Sequence, residues 1–411
     1  MIIDKDKLNI QIDIFEVWKA AGAIGTVLAA TGFGKSYIAI LAIQDMNKRH
    51  PDRTSIIVVP TKYLKIQWEN NIKKFNLKNT KVIVINTAIK HNYKCNLLVI
   101  DEIHRTGAPS FKNVFNTIKY NFLLGLTATI KRTDDMHKLI ETYAPIIYTI
   151  NIKQARKKNY VSDFIVFSLG LELSISDKAR YKAINKTYNT YFATFNHNFI
   201  TAMTALKNKD LRLELSDYWG ITEEKVFGRA VNFIKTMNKR KQFLYNNTTK
   251  INAVKQIINK FPKFKIVLFS ETTKFADIMT KTIGKEAFSY HSKISDKILK
   301  ESIVKFYDNK HPYRIISSAR ALEEGADIEQ LTLGIIASGN SIERQMIQRL
   351  GRAIRKSTEK EKAIIINLYL KDTQDEIWSK KRLKNIPEVF MIDNINEINY
   401  ERSTKSIKLF N

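Results

Sequence analysis

The chain is almost without cysteine. Cys95 is the only one in 411 residues, so no disulfide can close within the chain, and a reducing compartment is expected. It stands just before the apolar run Leu97-Leu98-Val99-Ile100, the setting of a buried, unreactive thiol. Long hydrophobic runs are missing too. No stretch reaches the roughly 20 apolar residues that a bilayer-spanning helix needs, and Met1 to Lys7 lacks a signal-peptide pattern. These absences predict a cytosolic protein with no membrane partner. No repeat of solenoid period and no low-complexity segment is present. Acidic residues are scarce: 40 Asp+Glu against 68 Lys+Arg leave a net charge of +28. The basic residues run along the whole chain and are not gathered in one tail. A lysine-rich composition on a solvated surface would account for part of this. An excess so large predicts attraction to a polyanion, with nucleic acid the first candidate.

What is present is a core. Hydrophobic residues make up 44% of the chain, which excludes global disorder, and the length suits two or three domains. From 1 to 150, short apolar runs alternate with helical patterns, as in a parallel sheet with crossover helices. The predicted strands are Thr26–Ala29, Ser55–Val59, Lys81–Ile85, Leu97–Ile100 and Phe122–Leu126. The α/β pattern returns over 261–411, with strands at Lys265–Ser270, Tyr313–Ser317, Leu333–Ala337 and Ala363–Leu368 and a polar tail from Lys371. Between them, 151–260 reads as a linker strand and a helical subdomain. There Tyr181, Tyr188, Phe192, Phe195 and Phe199 recur on one face of a long helix. Such a stripe can stack on bases, but it more commonly packs a core. Lys178, Arg180, Lys182 and Lys186 of the same segment are candidates to meet phosphates.

Three motifs carry chemistry. Ala29-Ala30-Thr31-Gly32-Phe33-Gly34-Lys35-Ser36 follows a predicted strand and precedes a helix, the context of a phosphate-binding loop. Backbone N–H groups around Thr31, Gly32 and Gly34 would cradle ATP phosphates. Lys35 would reach the β- and γ-phosphates, and Ser36 would ligate Mg²⁺. Ala29 stands where such loops usually begin with Gly. Asp101-Glu102-Ile103-His104 ends an apolar strand: Asp101 is placed for the Mg²⁺ shell and Glu102 to orient and deprotonate the attacking water. His104 either hydrogen-bonds locally or links the nucleotide site to the polymer site. Near the C-terminus, Gln348-Arg349-Leu350-Gly351-Arg352-Ala353-Ile354-Arg355 puts Arg352 and Arg355 three apart on one helix face. By itself this is an exposed basic helix. Beside the other two motifs it predicts arginines that stabilise charge on the transferred phosphoryl group.

Together these residues resemble a superfamily 2 helicase along nearly the whole chain. The phosphate loop is similar to motif I, Pro60-Thr61-Lys62-Tyr63-Leu64 with Gln67-Trp68 to motif Ia, and Asp101–His104 to motif II. Leu126-Thr127-Ala128-Thr129 resembles motif III, and Ile266-Val267-Leu268-Phe269-Ser270 motif IV. Ser318 through Glu324-Gly325-Ala326-Asp327 resembles motif V, and Gln348 to Arg355 motif VI. The resemblance implies two RecA-like lobes with a helical insertion and ATP held between them. It implies coupling roles for His104, Thr127, Thr129 and Gln348, nucleotide contacts from Gly325 and Asp327, and backbone contacts to DNA from Thr61, Lys62, Thr87, Ser270 and Ser318.

Lys131-Arg132-Thr133-Asp134-Asp135, Ala144–Tyr148 and Asn159-Tyr160-Val161 are similar to XPB-like DNA helicases and to phage branch-migration helicases of the UvsW type. In that group a Gln upstream of motif I reads adenine, and Gln11 occupies the matching place. Ile130 departs from the Pro that often follows motif III. The chain begins almost at the motor, so no separate N-terminal DNA-binding domain is expected. The implied activity is ATP- and Mg²⁺-dependent translocation on branched DNA: fork regression, Holliday-junction migration or short-duplex unwinding. The enzyme would move 3′→5′ as a monomer, in bacterial or phage-infected cytosol. An RNA helicase is the nearest alternative, although motif Ia and the run after motif III fit DEAD-box proteins poorly. A nucleic-acid-stimulated ATPase without unwinding, in a restriction or signalling complex, is the other.

Overall fold

The computed structural model describes residues 5–108, 110–130, 135–161, 164–319, 333–340 and 363–398. The first unit opens with α1 (Lys5–Ala20), β1 (Ile24–Ala29), α2 (Lys35–Arg49), β2 (Ser55–Val59), α3 (Lys62–Lys74), β3 (Thr80–Val84), α4 (Ile85–Ala88) and β4 (Tyr93–Lys94). It continues through β5 (Leu97–Asp101), a 3₁₀ turn (Ile103–Gly107), α5 (Val114–Thr117), β6 (Ile118–Lys119), β7 (Phe122–Thr127), α6 (His137–Tyr143), β8 (Ile146–Ile150) and α7 (Ile152–Lys157). Six of these strands form a parallel sheet in the order β3-β2-β5-β7-β1-β8. β2 is buried at every position and β5 at all but its last, Asp101. Continuous apolar runs of this kind are what a sheet covered on both faces requires, and they are why these strands were visible as unbroken hydrophobic segments.

The second sheet begins with β9 (Phe164–Leu171). The helices α8 (Ile175–Ala193), α9 (Phe199–Ala205), α10 (Lys209–Trp219), α11 (Glu223–Tyr245) and α12 (Thr248–Lys260) follow. Then come β10 (Ile266–Ser270), α13 (Thr273–Ile283), β11 (Ala287–Tyr290), α14 (Asp296–Tyr307), β12 (Ile315–Ala319), β13 (Leu333–Ile336), β14 (Ala363–Leu370), α15 (Gln374–Leu383) and β15 (Val389–Ile392). The strand order is β11-β12-β10-β13-β14-β9-β15, all pairs parallel. β9 therefore enters this sheet ahead of the helical segment, between β14 and β15. The helices leave the second sheet after β9 and return to it at β10, so the insertion is rooted at both ends in one unit. Two hydrogen bonds tie down its base: Gln374 N donates to Tyr181 Oη at 2.8 Å, and Asn247 Nδ2 donates to Asp177 Oδ2 at 3.0 Å.

The aromatic stripe packs a core, but not along one helix. Tyr181, Tyr188 and Phe192 lie on α8, which ends at Ala193. Asn196 and His197 then take positive φ, and Asn198 accepts hydrogen bonds from Ile200 N and Thr201 N to start α9 at Phe199. Asn side chains favour both the left-handed turn and the N-cap, which is why the chain breaks there. Phe192 stacks on Phe233 with ring centroids 4.8 Å apart, and Phe195 is fully buried against the same ring. Phe199 alone of the five is exposed. Among the described residues no helix is long and apolar enough to cross a membrane.

Candidate ATP site

Three strand ends of the first sheet meet in one row. β7 lies between β1 and β5, with Thr127 opposite Leu28 and Leu126 opposite Asp101. The loop leaving β1, the end of β7 and the acidic pair leaving β5 are therefore neighbours at the C-terminal edge. That is where an open parallel sheet holds its ligands.

The loop after β1 turns through two glycines of positive φ, Gly32 at 82° and Gly34 at 88°. Gly34 takes a left-handed conformation that favours glycine, and a Cβ there would push on the Gln11 Nε2 amide at 2.6 Å and disturb its contact with the loop. α2 begins at Lys35, so its first N–H groups face the loop. Lys35 Nζ donates to Ala29 O at 2.9 Å. From the other side, α1 clamps the loop through two side chains one turn apart. Lys7 Nζ donates to Gly32 O at 2.8 Å, and Gln11 Nε2 donates to Phe33 O at 2.9 Å and to Gly34 O at 3.2 Å. Gln11, expected to read a base, thus lies on the loop's own carbonyls. Lys7 had no motif to mark it.

Asp101 and Glu102 sit in different environments although adjacent. Asp101 Oδ2 accepts from Trp68 Nε1 at 2.9 Å, and Asp101 Oδ1 from Glu102 N at 3.1 Å. Trp68, fully buried on α3, orients this carboxylate, a role that a separation of 33 residues concealed. Glu102 has φ 54° and ψ 50°, a left-handed conformation that costs a non-glycine residue about 1–3 kcal/mol. The turn swings its carboxylate toward β7 and His104. His104 Nδ1 lies 2.8 Å from Thr127 Oγ1 and 3.2 Å from Glu102 Oε2. The Thr127 hydroxyl lies 3.2 Å from Glu102 Oε2 and 2.9 Å from the Thr129 carbonyl. Glu102, half-buried, and the buried His104 and Thr127 therefore form one hydrogen-bonded cluster.

This geometry splits the two acids. Burial, then the charge of Glu102, push the Asp101 carboxyl up to about 6, against the opposing pull of Trp68 and Lys35. Burial also opposes ionisation of Glu102, but His104, with Lys35 and Thr127, outweighs it and holds Glu102 well below the usual carboxylate range. On acidification Asp101 takes up a proton first. A hydroxyl from Ser36 and a carboxylate from Asp101 are hard oxygen donors that fit Mg²⁺. Since only the ionised carboxylate ligates, Mg·ATP affinity should be constant above about pH 6 and fall by up to about tenfold per unit below it. Calorimetric titration at several pH values checks this.

The remaining expected residues fall as follows. Thr61 caps α3, accepting from Leu64 N at 3.3 Å, with exposed Lys62 beside it. Thr87 is exposed on α4. Ser270 and Ser318 are buried at the ends of β10 and β12, and the Ser270 hydroxyl donates to Ser318 O at 3.0 Å or Thr272 O at 3.1 Å. Neither serine presents a surface to a polymer in this arrangement. The Thr129 hydroxyl is buried with no hydrogen-bond partner among the described residues. Gly325, Asp327, Gln348, Arg352 and Arg355, and the run Lys131 to Asp134, lie outside the described residues. Cys95 is buried, and burial pushes its thiol up to about 12, so it is unreactive.

Comparison with known proteins follows the two sheets. Residues 8–94 and 85–132 match the family described as type III restriction enzyme, res subunit, and residues 249–357 match the helicase conserved C-terminal domain. The two matches fall one on each sheet and are similar to the two halves of a superfamily 2 helicase, an ATP-driven nucleic-acid motor, and the two sheets have the fold of RecA-like helicase structures. Within that class it is 26% identical over 402 residues to "DNA 3'-5' translocase XPB2" of Sulfurisphaera tokodaii, covering 92% of this chain and 85% of the relative. It is 22% identical to "Putative ATP-dependent RNA helicase L396" of Acanthamoeba polyphaga mimivirus, covering 88% of this chain and 62% of that protein. The Pyrococcus furiosus Hef helicase domain superposes with a TM-score of 0.56 at 15% identity, covering 92% of this chain and 99% of that one. S. cerevisiae Dbp5 bound to RNA and ADP BeF3 superposes with a TM-score of 0.58 at 11% identity, covering 93% and 88%.

Proposed function

We propose that this chain is an ATP-dependent DNA translocase of the XPB type, moving 3′→5′ and, in the manner of UvsW-type enzymes, remodelling branched DNA as a monomer. The observation that supports the ATPase half is the row of strand ends at β1, β7 and β5, which brings the loop before Lys35 to the acidic pair, with Glu102 held ionised by His104, Lys35 and Thr127. The +28 charge and the similarity to a protein named as a DNA 3′-5′ translocase support the polymer half. Its lobes are 1–150 and 261–411, the second completed by β9 from 151–260, a segment that otherwise supplies the connection and the helical subdomain.

In this reading Ser36 and Asp101 hold Mg²⁺, which when bound neutralises phosphate charge. Lys35 leaves Ala29 O for the phosphates, Glu102 aligns water and takes its proton, and Arg352 and Arg355 complete the site from the second lobe. Gly325 and Asp327 contact nucleotide. His104, Thr127, Thr129 and Gln348 report its state, and Thr61, Lys62 and Thr87 grip backbone. An RNA helicase is the second reading, favoured by the name of the mimivirus relative. ATPase rates with single-stranded, duplex, forked and four-way DNA and with duplex RNA separate the two. The proposal expects the greatest stimulation from forked or four-way DNA. Greater stimulation by RNA overturns it.

A further inference from the structure

Where the helical insertion joins the second sheet, the surface closes around a cavity of about 460 Å³. Three cations line it from three separate elements: Arg180 of α8, Lys239 of α11 and Lys274 of α13. All three are exposed, and none has an ion-pair partner among the described residues. The Arg180 guanidinium is steadied 5.5 Å from the centroid of the Phe243 ring. Lys178, two residues away, is instead tied to Glu172 at 3.0 Å, so the candidate cations of α8 are not equivalent. Asp177 is the one carboxylate in the lining, and it accepts from Asn247 Nδ2 at 3.0 Å.

The polar floor is already ordered. Asn246 Oδ1 accepts from Thr272 Oγ1 at 2.6 Å, and Asn247 caps α12 at Thr249 N. α12 and α13 both begin here, at Thr248 and Thr273, so the positive ends of two helices of 13 and 11 residues add to the three side-chain charges. Three cations around one cavity, offset by the single carboxylate Asp177, leave it with a positive charge that an anion would neutralise.

We propose that this cavity is a phosphate-binding site that takes one backbone phosphodiester of the DNA on which the motor works. It ties the insertion and the second lobe to the same point on the polymer. The inference rests on the DNA-motor reading. A phosphodiester is the ligand of choice because the mouth is open to solvent and its basic residues lie on the surface, as a polymer running past requires. Arg180 and Lys239 would hold it from the insertion, and Lys274 from the lobe.

The test compares the full chain with a variant carrying Arg180→Ala, Lys239→Ala and Lys274→Ala. The replaced side chains are exposed, and an unchanged thermal midpoint shows that folding is kept. Binding of labelled forked DNA is followed by anisotropy across a salt series, and ATP binding is measured without DNA. Loss of one phosphate contact should weaken DNA binding by about tenfold and flatten the log–log salt slope by about 1. ATP affinity should not move. Equal affinity and slope in wild type and variant overturn the proposal. A thermal shift by inorganic phosphate that the variant loses while its DNA affinity stays whole overturns it as well, by assigning the site to a free anion. A wild-type chain that binds no DNA removes the motor reading and this site with it, a result distinct from a variant that binds as well as wild type.

Discussion

Replacing Glu102 by Gln lowers ATP turnover by about 10²–10⁴-fold, the range that a general base contributes, while Mg·ATP still binds. Asp101 keeps its hydrogen bonds from Trp68 and from the backbone N–H of residue 102, so the carboxylate proposed to ligate Mg²⁺ stays oriented. Gln has the size of Glu and keeps an oxygen for His104 and Thr127, so the cluster keeps its shape. What it loses is basicity. It also loses the charge that helps raise Asp101. The pH below which Mg·ATP binding weakens should therefore move down in Glu102→Gln, a second readout independent of turnover. Binding and single-turnover hydrolysis, measured separately, check both. Wild-type hydrolysis by Glu102→Gln would place the base elsewhere.

Arg352→Ala and Arg355→Ala should each reduce turnover by about 10³-fold or more, the effect of removing a transition-state arginine, with ATP and DNA affinities close to wild type. A basic helix that merely met DNA would give the opposite pattern, weaker DNA binding at unchanged kcat. Turnover at saturating ATP and DNA, beside equilibrium binding, distinguishes them.

The sequence made the central strands easy to place and the edges hard. β2, β5, β10 and β14 are buried throughout or nearly so, and their unbroken apolar runs were unmistakable. β8 and β15 are sheet edges with mixed exposure, and their short apolar runs, Ile146–Ile150 and Val389–Ile392, are not among the strands predicted. β9 is apolar enough, but nothing local shows that Phe164–Leu171 pairs with Ala363–Leu370, about 200 residues away. Within the candidate ATP site, the motif residues are legible in the sequence, but several of the contacts that orient them are not. Trp68 reaches Asp101, and Lys7 reaches Gly32, through contacts created only by the fold. Ser270 and Ser318, expected from the motif resemblance to contact a DNA backbone, are buried hydroxyl residues at strand ends. Strand order buries both.

The central claim is that hydrolysis drives movement along DNA. Displacement of a labelled third strand from a triplex placed at either end of a duplex measures that movement without requiring unwinding. The account predicts ATP-dependent displacement by the wild-type chain, faster where the track is approached 3′→5′, and none by Glu102→Gln. ATP hydrolysis at one rate with and without DNA, accompanied by no displacement in either direction, would contradict it.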